Sequence, residues 1–377
     1  MRIAVIANNL RVAGGESVGR NVIRTLPLVA PMHEYLFLVP RGSKFQIKPP
    51  GVKADIVETH SRSFYGVAVE ILRDIPDLLR RFSPDLVWAL GNLPVRNPPA
   101  PQALLVHNPR LFYPESYYSR ELWRYKQKDR LIGIHVRQNL RFVDQVFCQT
   151  QTAARRFRHV FNHGNVAIMP NAISMDIQTS QPPGKGHERL AAHRASFKSI
   201  ALTRYYAHKN LELIVEAYSR FGKEQLAGTV CFLTIDPSVH PLARRLLRRA
   251  ADEAPGQVLN LGPVPQAQLA SLFREMDALL HPSTLESSSA SFMEAMRFGI
   301  PILASDLDFA HEACGSAALY FEPHSPSGLA AAIDRLRQDS RLGRHLSQEG
   351  RRQLASVAMD WPDTVRSALD VLQVPHH

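Results

Sequence analysis

Seven residues separate Glu286 from Glu294 in the stretch HPSTLESSSASFMEAMRFGIPILASD, residues 281–306. An apolar run ends just before the pair, small polar residues fill the gap, and a helical pattern closes at Gly299 and Pro301. The spacing predicts a helix over 289–298 whose first residues, Ser289, Ala290 and Ser291, leave backbone N–H groups free. Such a terminus binds anions, a diphosphate among them. Glu294 falls about one turn in, near the mouth of the site, where a carboxylate can accept two hydrogen bonds from a diol. Glu286 precedes the helix. The plain alternative is a pair of surface glutamates on an amphipathic helix.

Other residues could share that chemistry. In ALTRYYAHKNLELIVEAY, residues 201–218, a strand runs into a helix and Arg204 and Lys209 lie between them. In NNLRVAGGESVGR, residues 8–20, Gly14 and Gly15 sit at a strand-to-helix turn. Their spacing is not G-x-G-x-x-G, so the dinucleotide fingerprint is absent. His107 follows an apolar strand in ALLVHNPR, with Asn108 beside it, and GNLP (91–94) follows the strand DLVWAL. Val264 lies in LGPVP, residues 261–265. Asp306-Leu307-Asp308 spells D-x-D after another strand; Asp306 is read as a helix N-cap or turn residue, and no metal site is expected.

These residues need elements to position them, and the chain alternates strand-like and helix-like segments throughout. Strands are expected at 2–7, 34–40, 53–58, 85–90, 103–108, 144–150 and 166–170, with helices at 16–28, 66–82 and about 116–142. The alternation breaks in the Pro/Gly/Ser-rich stretch 171–198. It resumes with strands at 199–204, 229–235, 257–261, 278–282, 301–305 and 318–321. The helices expected with them span 209–221, 240–252, 266–275, 289–298, 326–337, 341–355 and 361–373. Short, nearly continuous apolar strands alternating with helices imply parallel sheets covered on both faces. The expectation is α/β: two doubly wound parallel-sheet domains, 1–170 and 199–355, facing a cleft, joined by the linker 171–198. A segment 356–377 is expected to cross back to the first domain. Ligands of such sheets bind beyond the carboxyl ends of the strands, where the motifs fall.

Charge is divided unevenly. Residues 1–170 hold 24 Lys and Arg against 12 Asp and Glu, a net of +12, whereas residues 171–377 hold 21 against 22. The first half therefore favours an anionic partner. Its segment 119–141 carries Arg120, Arg124, Lys126, Lys128, Arg130, Arg137 and Arg141 with Leu122, Trp123 and Tyr125 interleaved. Basic and aromatic residues on one helix suit an anionic membrane surface. No apolar run reaches the ~18 residues of a spanning helix, and the N-terminus reads as a first strand rather than a signal peptide. Cys148, Cys231 and Cys314 are far apart and form no disulfide or ligand pattern, which suits a reducing compartment.

The stretch around Glu286 and Glu294 resembles the sugar-nucleotide site of retaining glycosyltransferases of family 4, whose usual form is E-G-F-G-x-x-x-x-E-A-M-A-x-G-x-P-V. Ser287 and Ser289 stand where that form has Gly, and Asn210 stands where Gly commonly follows the Lys. The resemblance runs over nearly the whole chain, from the Gly14-Gly15 loop to Asn171 and the Trp361 segment. It implies the two-domain GT-B fold, with acceptor on the first domain and nucleotide-sugar donor on the second. It implies that Glu286 and His107 contact the donor sugar and Glu294 the ribose. Arg204 and Lys209 would clasp the diphosphate, Val264 would meet the base, and Gly14-Gly15 would let backbone approach. Two fixed cations and a helix N-terminus would stabilise the charge growing on the leaving diphosphate without a metal or other cofactor. The implied activity is retaining transfer of a hexose from a UDP- or GDP-linked donor to a saccharide acceptor. That acceptor would be lipid-linked, in bacterial surface polysaccharide or lipopolysaccharide assembly, with the protein cytoplasmic and peripheral at the inner face of the membrane. Two alternatives are a sugar-nucleotide epimerase on the same fold and a basic nucleic-acid-binding protein. Against the second, the sequence has no recognisable nucleic-acid module.

Overall fold

The strands form because Val, Ile, Leu and aromatic residues dominate short runs such as RIAVI and EYLFLVP, which are buried almost end to end. The computed structural model describes residues 1–11, 13–42, 45, 51–61, 63–172, 190–357 and 359–376. Most of the stretch read as a linker lies outside the described residues.

The chain divides into two compact units. One comprises Met1–Tyr113, Trp123–Ser174 and Met359–His377, and the other Pro114–Leu122 and Met175–Ala358. The first unit holds strands β1 (Arg2–Ile6), β2 (Glu34–Pro40), β3 (Ala54–Thr59), β4 (Leu86–Ala89), β5 (Gln102–Val106), β6 (Gln145–Cys148) and β7 (Val166–Ile168). They lie in the order β3-β2-β1-β4-β5-β6-β7, every pair parallel. The second unit holds β8 (Phe197–Ala201), β9 (Thr229–Leu233), β10 (Val258–Asn260), β11 (Ala278–His281), β12 (Ile302–Ser305) and β13 (Ala318–Phe321). Their order is β10-β9-β8-β11-β12-β13, again all parallel.

Both orders reverse direction once, between β1 and β4 and between β8 and β11. At these switch points the loops that follow adjacent strands diverge to opposite faces and leave a crevice. The loop carrying Asn8 and Asn9 follows β1, and Gly91-Asn92 follows β4. Arg204 and Lys209 follow β8, and Glu286 follows β11.

Each unit has its own core. Trp88, Phe37, Tyr35 and Phe147 are buried in the first, where Trp361, Val365, Ala368 and Leu369 of the helix Trp361–Val371 join them. Asp360 caps that helix by accepting a hydrogen bond from the Asp363 N–H (2.8 Å), and Pro362 opens its first turn. In the second unit Leu213, Ile214, Leu280, Leu303 and Ile333 pack together.

The local structure departs from the sequence reading in four places. The span 66–82 is helical but not uniformly so: a π-turn, Glu70–Asp74, joins the helices Phe64–Val69 and Ile75–Phe82. The helix expected at about 116–142 is shorter, Trp123–Asn139. The residues before it form a 3-10 turn, Glu115–Tyr118, that goes with the second unit. Two further helices, Gln151–Phe161 and Asp308–Cys314, were not anticipated. The latter is capped by Leu307 rather than Asp306, whose carboxylate instead accepts from the His311 ring (2.6 Å).

Candidate functional site

In the second unit the loops after β8 and β11 are pinned together. The Thr284 N–H donates to the His208 carbonyl (2.8 Å). Ala207–Lys209 is a tight 3-10 turn ended by Asn210 at φ 51°, a left-handed position that Asn tolerates better than most residues. The Asn210 amide donates to the Pro323 carbonyl (2.7 Å), which holds the turn in place. The Lys209 Nζ donates to the Glu286 Oε1 (2.5 Å), joining two of the residues singled out from sequence.

Around this pair lies a polar cluster that the sequence reading had only in part. His281, the last residue of β11, places its Nε2 3.5 Å from Glu286 Oε1 and 3.0 Å from Ser289 Oγ. Ser289 Oγ also lies 2.9 Å from Ser291 Oγ. Burial pushes the Glu286 carboxyl up, but the Lys209 ammonium, with His281 and His208 beyond it, outweighs burial and holds the group below the usual carboxylate range. Burial pushes His281 down to about 4, against the opposing pull of Glu286. The imidazole is therefore neutral near pH 7, and its proton belongs on Nε2, which faces the carboxylate. His281 was missed; its one signal in the sequence is its place at the carboxyl end of a strand, directly before the motif.

The helix Ala290–Phe298 begins beside this cluster. Ser289 sits at φ −111°, ψ 116° and makes no side-chain capping bond, because its hydroxyl is taken by His281 and Ser291. The first-turn N–H groups therefore keep their capacity for an anion. Ala290 is exposed and Ser291 buried. Gly299 ends the helix at φ 67°, and a Cβ there would come within 2.5 Å of the Arg351 guanidinium.

Glu294 corrects the expectation of a residue near the mouth of the site: it is only 7% exposed. Among the described residues it has no hydrogen-bond partner, and burial raises its pKa to about 7. Arg204 is exposed, and its side chain makes no hydrogen bond or ion pair among the described residues. Val264 is half-buried in the loop after β10, two residues past Gly262 at φ 77°. Among the described residues no group of three or more His, Cys, Asp or Glu side chains is placed to hold a metal ion.

The first unit has a second constellation at its own switch point. Gly14 and Gly15 lie in the first turn of the helix Ala13–Val29 rather than in the loop before it. A Cβ on Gly15 would stand 3.1 Å from His107 Nε2, so the missing side chain makes room for that ring; around Gly14 there is open space. Asn92, at φ 64°, accepts from the N–H groups of His107 (2.7 Å) and Asn108 (2.9 Å), and its amide nitrogen lies 3.1 Å from His107 Nε2. Burial pushes His107 down to about 4. The Asn108 amide donates to Asp129 Oδ1 (2.8 Å). Beside this group Glu70, in the π-turn, accepts from the Asn8 amide (3.0 Å) and the Ser61 N–H (2.8 Å). Glu70 was missed, since one carboxylate in a helical pattern reads as surface.

The burial of Glu294 generates a test. A carboxyl whose pKa is raised on folding lends stability below its unfolded pKa and loses it as pH rises through the folded value. Glu294→Gln keeps the shape without the charge. Its melting temperature should match the parent's near pH 4.5 and exceed it increasingly up to pH 8, by at most about 3 kcal/mol of stability. Differential scanning calorimetry across that range checks this; a pH-independent difference would show that Glu294 is not desolvated as described.

Residues 187–353 match the family glycosyl transferases group 1. No curated protein matches the chain in sequence. Among solved structures, the chain is similar to sucrose-phosphate synthase from Thermosynechococcus elongatus. The TM-score is 0.78 at 15% identity, covering 99% of this chain and 98% of that one. It is similar also to Anabaena HepE in complex with UDP-glucose (TM-score 0.74, 14% identity, 99% of each chain). WaaG, a glycosyltransferase involved in lipopolysaccharide biosynthesis, is a third (TM-score 0.70, 16% identity, 98% of this chain and 99% of that one). At such identities the likeness is one of fold, and the fold is GT-B. The segment that matches the family contains β8 to β13, the Lys209–Glu286 pair and Glu294.

Proposed function

We propose that the protein transfers a hexose from a UDP- or GDP-linked donor to a saccharide acceptor, retaining anomeric configuration and using no metal. The observation that carries this reading is the Lys209–Glu286 pair beside an uncapped helix N-terminus at the switch point of the second sheet. The pair holds a cation and a carboxylate in fixed places without solvent between them. Lys209 and the first-turn N–H groups are the groups to receive a diphosphate, and Arg204, exposed and unpaired, is the one to close on it. Negative charge grows on the departing phosphate, so preorganised positive ends lower that barrier most. Glu286, ionised and oriented by Lys209 and His281, is placed to accept hydrogen bonds from sugar hydroxyls. Glu294, without a partner, suits the ribose diol, which would satisfy a carboxylate now stranded by burial. The solved HepE structure contains UDP-glucose, which supports the donor class.

Calorimetric titration with UDP and GDP tests the donor site. The protein should bind one of them, and Glu294→Gln should weaken that binding by ~1–3 kcal/mol, the scale of a charged hydrogen bond. With a turnover assay in hand, Arg204→Ala should lower kcat by ~10²-fold, comparable to losing a preorganised oxyanion contact. Transfer should survive exhaustive chelation. Activity abolished by chelator and restored by Mn²⁺ or Mg²⁺ would refute the metal-free mechanism.

The acceptor in this proposal is lipid-linked and met at an anionic membrane surface, in surface polysaccharide or lipopolysaccharide assembly. On the helix Trp123–Asn139, Trp123 (73% exposed), Leu131 and Ile134 stand out from the surface. At helical spacing these three fall on one face, with exposed Arg124, Lys128, Arg130 and Arg137 on its flanks. An apolar strip between cationic margins is the pattern of a helix lying in a headgroup layer. Arg120 and Leu122 leave this set, since both go with the second unit. No described helix is long and apolar enough to cross a membrane. Each basic residue near an anionic leaflet contributes ~1 kcal/mol, fading within a Debye length. Sedimentation with vesicles should therefore require anionic lipid and weaken steeply with salt. It should fall when Trp123, Arg124, Lys128 and Arg130 become Gln; equal binding to neutral and anionic vesicles, or none to either at low salt, would rule this surface out.

A further inference from the structure

Pro114–Leu122 sits in sequence between β5 and the helix Trp123–Asn139 of the first unit, yet it packs as part of the second. It does so at the backbone around Lys209 and Glu286. The Arg120 Nη1 donates to Asn210 Oδ1 (3.1 Å), and Asn210 is the left-handed residue that ends the Lys209 turn. Glu121 Oε2 lies 3.8 Å from His208 Nδ1, and the Glu121 side chain is 2% exposed. The Tyr117 carbonyl accepts from Thr284 Oγ1 (2.6 Å), two residues before Glu286. Lys209 is thus held through both its neighbours, and the strand-loop that delivers Glu286 is held by the same short segment.

We infer that Pro114–Leu122 is a positioning strap for the Lys209–Glu286 pair, with Arg120, acting through Asn210, as its principal positioning residue. The inference rests on the donor reading above. Its contacts with Asn210, His208 and Thr284 act on where the groups proposed to meet the donor stand. Arg120 reaches the side chain of Asn210, whose backbone conformation turns the chain away just after Lys209. Loss of that bond frees the turn without removing any charge from the site. Since a fixed cation acts on a diphosphate only at the right place, a shift of about an ångström is enough to be felt.

The test compares Arg120→Ala, Arg120→Lys, Asn210→Gly and the Ala/Gly double variant in the full chain. Gly keeps the left-handed turn and deletes the side chain, and with it both the Arg120 and the Pro323 bonds. Calorimetry with UDP and GDP reads the site, and thermal melting reads the fold. Arg120→Ala and Asn210→Gly should each weaken binding of whichever nucleotide the parent takes by five- to tenfold. The double variant should be no weaker than Asn210→Gly alone, since that change already removes the Arg120 link. Arg120→Lys should recover most of the affinity. A merely structural role would lower the melting temperature and leave the affinity of the folded protein unchanged. Affinities within twofold of the parent, or losses that multiply in the double variant, would overturn the strap while leaving the donor reading intact. A parent protein that binds neither nucleotide would overturn the donor reading, and the strap's role with it.

Discussion

A carboxylate buried in a protein must be neutralised or paired, and Glu286 is paired. Taking an ion out of water costs several kcal/mol even after relaxation, and that cost is offset here by Lys209 at 2.5 Å with His281 behind it. Neither partner could sit where it does without the other. Removing one member of such a pair typically costs ~3–5 kcal/mol, because the other is left charged and unsolvated. The two loops at the switch point of the second sheet are therefore bound to one another by charge, and the 3-10 turn, the Thr284 contact and the uncapped helix are arranged around that bond. Glu294 is the contrasting case: the same depth of burial with no partner, so its carboxyl drifts up to about 7. The protein thus sets the charge of one carboxylate and leaves the other without a partner among the described residues.

The same logic shapes the first unit with neutral groups. His107 loses its charge to burial and is held by Asn92, which binds two successive backbone N–H groups with one oxygen. Gly15 gives the ring room, and Glu70 ties the residue after β1 to the loop after β3 through Asn8 and Ser61. These are all contacts between loops at the carboxyl ends of parallel strands.

How much of this was legible depends on sequence separation. The strands were readable because each is a short apolar run whose burial needs no knowledge of its neighbours, and the Glu286–Glu294 stretch was readable because its parts are contiguous. Lys209 meeting Glu286 was not readable: the resemblance put one on the diphosphate and the other on the donor sugar, and no periodicity joins them. The strap was not readable at all: Arg120 and Glu121 adjoin a run of basic residues, and local pattern assigns them to the same solvated helix. Their real partners, Asn210 and His208, are almost 90 residues away. The helices Gln151–Phe161 and Asp308–Cys314 were missed for a local reason. Each is short and follows directly on a strand, so its apolar positions blend into the strand's. The π-turn at Glu70 was hidden because one extra residue in a turn leaves the helical composition unchanged.

The glycine positions of the family's usual form separate two kinds of constraint. Ser287 and Ser289 replace Gly, and neither has positive φ; Ser289 is at −111°. Glycine is therefore not required there by backbone conformation, and the hydroxyl of Ser289 is used to hold His281 and Ser291. Asn210 also replaces Gly, and there the left-handed turn is kept, at φ 51°, by the residue type that bears it best after glycine. The Asn side chain then becomes the handle for Arg120 and for the Pro323 carbonyl, contacts no glycine could make. Gly299 is retained, at φ 67° and with Arg351 closing over it, where a side chain would meet both strain and a neighbour. Departures from the usual motif thus fall where the backbone allows a side chain, and two of them supply hydrogen bonds that build this particular site.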